Sequence, residues 1–171
     1  MTGATALPTS ATNFPALDKL ARLVGEVGDL QSKLLLLVGN SGKTQLLRIL
    51  AERIQTTPIN VGAKLAHRLA ATPASDRDFS TNELLHEITD SVHGEVPLLI
   101  DNLEVLFDSS LKINPLDFIK RLAHSRPVVA VWPGEMRDDR LVYANMGHPE
   151  HRDYSRDGIV VFEAAHSPQN A

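Results

Sequence analysis

Four leucines and a valine, Leu34 to Val38, run directly into Gly39-Asn40-Ser41-Gly42-Lys43-Thr44. Behind that turn comes Gln45-Leu46-Leu47-Arg48-Ile49-Leu50-Ala51-Glu52-Arg53-Ile54, a helix-forming run. A strand that feeds a helix through a short glycine turn is the first half of a β-α-β unit, and such units close as a parallel sheet. The residue types in the turn also suit a phosphate. Glycines let backbone N–H groups turn inward and the helix offers its positive end, while Lys43 can reach β- and γ-phosphates and the Thr44 hydroxyl can ligate Mg²⁺. Gly39, Asn40, Ser41, Gly42, Lys43, Thr44 and Gln45 are therefore the candidate nucleotide contacts. An ordinary strand-to-helix turn is the alternative, and the strand before and helix after weigh against it. In the usual spacing the first glycine would fall on Leu37, inside the strand, so this loop is two residues shorter and a weaker grip is expected.

With 171 residues and 43% apolar content, the chain can fill one core and is short for two. We expect a single domain over residues 13–166, with flexible ends at 1–12 and 167–171. A net charge of −4 argues against a protein that coats nucleic acid without excluding a local basic patch, which leaves DNA contact, indirect through a partner or otherwise, open. The absence of cysteine excludes disulfides and thiol chemistry. No run has the length of a membrane span and the N-terminus lacks the order of a signal peptide, which makes a cytoplasmic location the expectation.

Asn13-Phe14-Pro15 should start a helix carrying Leu17, Leu20, Ala21, Val24 and Val27 on one face. Further strands are expected at Ile59-Asn60-Val61, Val96 to Asp101, Pro127 to Trp132 and Gly158 to Phe162. Helices are expected from Gly62 to Ala71, from a capping box of Ser80 and Glu83 to a stop at Gly94, and from Asn114-Pro115 to Ala123. This alternation predicts a three-layer α/β/α sandwich with a mainly parallel five-stranded sheet, the core of a P-loop NTPase of the AAA+/ASCE kind. After the fifth strand we expect no helical lid.

Leu98-Leu99-Ile100-Asp101 is an apolar strand ending in a carboxylate, which would bring Asp101 to the metal side of the phosphate loop with Thr44. Many such hydrolases follow that Asp with a glutamate that orients water, but Asn102 stands here and the next glutamate is Glu104. Asn102 and Glu104 are thus the catalytic candidates, with a solvated helix-start glutamate as the plain reading of Glu104. Arg137, Arg140, Arg152 and Arg156 lie between the last two predicted strands. Arg152 and Arg156 are the candidates for an arginine sent to a neighbouring copy in a homo-oligomer. No Asn-Lys-x-Asp or Thr-Lys-x-Asp string is present to read guanine, leaving adenine as the expected base. In His148-Pro149-Glu150-His151 the proline breaks any helix that would align two zinc ligands. Trp132, ending its strand, reads as a packing residue that could also cover a nucleotide.

Longer strings carry more specific information. These are Ile59-Asn60-Val61, Leu99 to Asp108 with Ser110-Leu111-Lys112 and Pro115-Leu116, and Val129 to Trp132 before Gly134. Leu141, Tyr143-Ala144 and Gly147 to Arg152 with Tyr154 complete the set. From the phosphate loop onward the chain resembles the BrxF family, the small P-loop proteins of type 3 BREX bacteriophage-defence systems. The resemblance implies a bacterial cytoplasmic ATP-binding accessory using ATP and Mg²⁺. Its expected partners are a large ATPase, a DNA methyltransferase and a phosphatase-like protein. It also implies that Asn102 is the family's own choice, whereas the short loop departs from the family's fuller glycine-serine loop. Slow or partner-stimulated hydrolysis is the first expectation. A small P-loop kinase and a nucleotide-free scaffold are the alternatives.

Overall fold

The computed structural model describes residues 14–30, 33–92 and 95–164. The expected caps Asn13 and Gly94 and both expected flexible ends lie outside these. Helix α1 (Phe14–Val27) leads to β1 (Leu34–Val38), α2 (Lys43–Arg53), β2 (Ile59–Asn60), α3 (Val61–Ala70), α4 (Arg77–Asp90) and β3 (Leu98–Asp101). Two 3₁₀ turns, Glu104–Phe107 and Ser109–Leu111, then precede α5 (Pro115–Leu122) and β4 (Val128–Val131). The remaining strands are β5 (Glu135–Arg137), β6 (Arg140–Tyr143), β7 (Arg152–Ser155) and β8 (Val160–Glu163).

The main sheet has the order β2-β3-β4-β1-β8, with every neighbouring pair parallel. Its central strands β3, β4 and β1 are buried on both faces, as their unbroken apolar runs require. Leu34, Leu36 and Val38 of β1 point into a cluster with α3, α4 and α5, while Leu35 and Leu37 point into a second cluster with α1 and α2. Period-two alternation thus divides one leucine run between two helical layers. Leu34 to Leu37 are fully buried, each adding about 1.5–3 kcal/mol of apolar transfer free energy. The α/β class and the mainly parallel five-stranded sheet are as expected.

Two expectations fail. Helix α4 starts at Arg77, behind a short 3₁₀ turn, so Ser80 and Glu83 lie within the helix and form no capping box. Bonds to the preceding helix end accompany this start: Arg77 Nε donates to the carbonyls of Leu69 and Thr72, fastening α4 to the end of α3. Between β4 and β8 the chain builds a separate antiparallel sheet, β5-β6-β7, where the sequence reading placed only a connection with arginines. Asp138 and Asp139, at φ 47° and 64°, make the two-residue turn of its first hairpin.

Candidate functional site

Strand order fixes where a site can form. From β1 the chain jumps to the far edge at β2, returns through β3 and β4, and then passes to the other side of β1 with β8. The reversal lies between β1 and β4, and in open parallel sheets ligands bind outside the carboxyl ends of the strands at such a point.

The loop 39–42 leaves β1 there. Gly39 has φ 132°, and a Cβ on it would come 2.9 Å from the Ala164 carbonyl oxygen just past β8. That approach is fixed by Ala164 N–H donating to Val38 O at 2.8 Å. Gly42 precedes α2 in the left-handed region at φ 77° and supplies no side-chain cap to the first turn. Thr44 and Gln45 follow in that turn with exposed side chains.

Lys43 reaches across the switch point, its Nζ donating to the Trp132 carbonyl at 2.6 Å. Burial pushes its pKa down, and the carboxylates of Glu104, Asp101 and Glu135 push it back up. Thr44 and Asp101 line one pocket of about 260 Å³ with Leu47, Arg48, Pro58 and Asn60. The expected metal-side pair is therefore brought together, although the residues come from α2 and the end of β3.

Asn102 does not line that pocket but is bonded to two residues that do. It sits at φ 59°, its N–H donates to Asp101 Oδ1 at 2.7 Å, and its Nδ2 donates to Asn60 Oδ1 at 2.9 Å. The same Asn60 oxygen accepts from Ala63 N–H and so caps α3. Glu104 opens the first 3₁₀ turn, exposed and within electrostatic reach of Lys43.

The antiparallel sheet covers the other side of Lys43. Between them lies a cleft of about 460 Å³, whose walls include Gly39, Asn40 and Lys43 on one side and Glu135, Arg137 and Tyr143 on the other. Trp132 is fully buried beneath this sheet and does not line the cleft: its Nε1 donates to Val142 O at 3.3 Å, and Phe107 and Tyr154 meet its ring edge-on. Only its packing role is seen. Phe107 also stacks on Tyr143 at 3.9 Å between centroids, and burial raises the Tyr143 phenol pKa, with Glu150 and Glu104 adding to it.

Arg152 and Arg156 do not enter the cleft. Arg152 Nη1 donates to His151 O at 2.8 Å, and Arg156 pairs with Asp139 at 2.9 Å beside the hairpin turn. The arginine that does line it is Arg137. Its signal was the alternation in Glu135-Met136-Arg137 and Arg140 to Tyr143 around Asp138-Asp139, which reads as a hairpin. Among the described residues, no group of three or more His, Asp or Glu could hold a metal ion, His148 and His151 included. No described helix is long and apolar enough to cross a membrane.

Comparison with protein-family models, curated proteins and solved structures finds no match for this chain.

Proposed function

We propose that this chain binds ATP with Mg²⁺ at the β1/β4 switch point and serves as an accessory ATP-binding protein in BREX-type anti-phage defence. The observation that carries the nucleotide reading is the position of Lys43. It stands at the start of α2, behind a left-handed glycine, and its ammonium reaches the end of the neighbouring β4. In this reading the N–H groups of loop 39–42 and the first turn of α2 cradle phosphates, with Lys43 supplying charge. Mg²⁺ keeps several waters and takes few protein ligands beside substrate phosphates, a demand that Thr44 and Asp101 suit. The metal would neutralise phosphate charge. Strand order supports the ASCE-like core, since one strand, β4, separates β1, which feeds the loop before Lys43, from the aspartate-bearing β3.

The defence role rests on the strings shared with the BrxF family, and with it the cytoplasmic location and the partners: a large ATPase, a methyltransferase and a phosphatase-like protein. Slow or partner-stimulated hydrolysis follows from the site's composition. Asn102 is bonded to Asn60, and beyond Asp101 the carboxylates that act on Lys43 are Glu104 and Glu135. The four-residue loop favours a second reading, a scaffold that keeps the fold without nucleotide.

Calorimetric titration with ATP and Mg²⁺ separates the two. Lys43→Ala should weaken binding about ten- to hundredfold, the equivalent of losing a charge-assisted contact of roughly 1.5–3 kcal/mol. A thermal melt of Lys43→Ala that matches the parent shows the loss to be one of contact, not of fold. Equal ATP affinity in Lys43→Ala and parent would refute the assignment.

A further inference from the structure

The wall opposite the phosphate loop presents two opposite charges toward Lys43. Glu135 and Arg137 lie two residues apart on β5, so both point to the same side of the strand, and both line the cleft with Gly39, Asn40 and Lys43. They pair with each other, Arg137 Nε to Glu135 Oε2 at 2.9 Å, with side chains 61% and 55% exposed. A pair that open to water holds weakly and exchanges readily.

The strand beneath them is firmly held. Gly134 lies so close to β6 that a Cβ would come 1.8 Å from the Val142 carbonyl oxygen, and the same oxygen accepts from Trp132 Nε1. Leu141 is fully buried, and the hairpin's outer end is tied by Arg140 to Asp153 and by Arg156 to Asp139. The backbone is thus a fixed platform carrying a long, lightly tethered guanidinium. Glu135 is also one of the three carboxylates that act on Lys43. A polyphosphate entering beside Lys43 would meet the Glu135 charge at once. Release of Arg137 toward the phosphate relieves that repulsion and matches a planar fork to phosphate oxygens.

We propose that Arg137 reads the terminal phosphate of ATP from within the same chain, exchanging its ion pair with Glu135 for that phosphate, so that the cleft distinguishes tri- from diphosphate. This rests on the nucleotide reading above and adds to it the residue that senses phosphate number. Arg152 and Arg156, bonded to the His151 carbonyl and to Asp139, are not needed for it.

The test is calorimetric titration of the full chain with ATP and, separately, ADP, each with Mg²⁺, in the parent, Arg137→Ala, Arg137→Lys, Glu135→Gln and Lys43→Ala. Arg137→Ala should bind ATP about tenfold more weakly while ADP affinity changes by less than about twofold, and Arg137→Lys should fall between. Glu135→Gln should tighten ATP, because it frees the arginine and removes a carboxylate from the phosphate's path. Lys43→Ala should weaken both nucleotides. An unchanged ratio of ATP to ADP affinity in Arg137→Ala, or weaker ATP binding in Glu135→Gln, overturns the inference while leaving the nucleotide site standing. A parent that binds neither nucleotide overturns both.

Discussion

At the scale of single residues, the carboxyl ends of β2 and β3 are locked together by polar contacts rather than by apolar packing alone. Asn60 caps α3 and receives the Asn102 amide, and Gly62 makes room for Asn102: a Cβ there would come 2.4 Å from the Asn102 carbonyl oxygen and 2.7 Å from its side chain. Gly62→Ala must therefore push the 101–102 backbone away, at a cost of about 1–3 kcal/mol by comparison with overpacked cores. Urea unfolding measures the loss. Since the Asp101 side chain accepts from the Asn102 N–H, the same variant should also disturb the metal-side pocket. A wild-type midpoint in Gly62→Ala would mean that the contact is not tight in solution. The arrangement also fixes the Asn102 side chain, one of whose amide N–H groups is bonded to Asn60, and an amide that could position water cannot take its proton.

Among the elements, the small sheet β5-β6-β7 is the one that shapes the site. It seats on the core through Trp132, Phe107, Tyr143 and Tyr154, an aromatic group joined by one stacked and two edge-on contacts. Gly134 is its hinge to β4, with no space for a methyl group against Val142 O. Gly134→Ala should push β6 away from the 132–134 segment, break the Trp132 Nε1 bond to Val142 O and expose Trp132, the sole tryptophan in the chain. Its emission should shift to the red, and stability should fall by about 1–3 kcal/mol. The fluorescence readout is specific to this seat. An unshifted spectrum would show that the sheet is held by the aromatic group without Gly134.

For the whole molecule, the arrangement favours binding over turnover. The isolated chain should hydrolyse ATP well below about 1 s⁻¹, since positioning and electrostatics supply most of phosphoryl-transfer catalysis and the water-orienting position holds an engaged asparagine. Phosphate release, followed with and without the cognate large ATPase, tests this. Steady turnover on the order of 10 s⁻¹ by the isolated chain would contradict it. Glu104→Gln then assigns the residual rate: loss of turnover with unchanged ATP affinity puts Glu104 in the chemistry, and no effect returns it to an exposed carboxylate at a 3₁₀ turn.

The strand of leucines, the glycine turn and the helix behind it were legible because their signals are local. Alternation, a left-handed glycine and helical spacing each act over a few residues. Asn114-Pro115 likewise announced α5, and the structure caps it as expected. The hairpin around Asp138-Asp139 was written in the same local terms, in alternation and a two-residue turn. Its role was not, because what the hairpin covers depends on β4 and β1 lying side by side. Tertiary structure alone joined Lys43 to the Trp132 carbonyl, 89 residues away, and Asn102 to Asn60, 42 residues away. It also replaced the capping box at Ser80 with a start at Arg77, since a guanidinium bonded to two carbonyls, one in the last turn of α3 and one just past it, outweighs a hydroxyl at a helix end. Local periodicity determined which elements form. The order in which the sheet stacks them, set by burial on two faces, decided which charges meet.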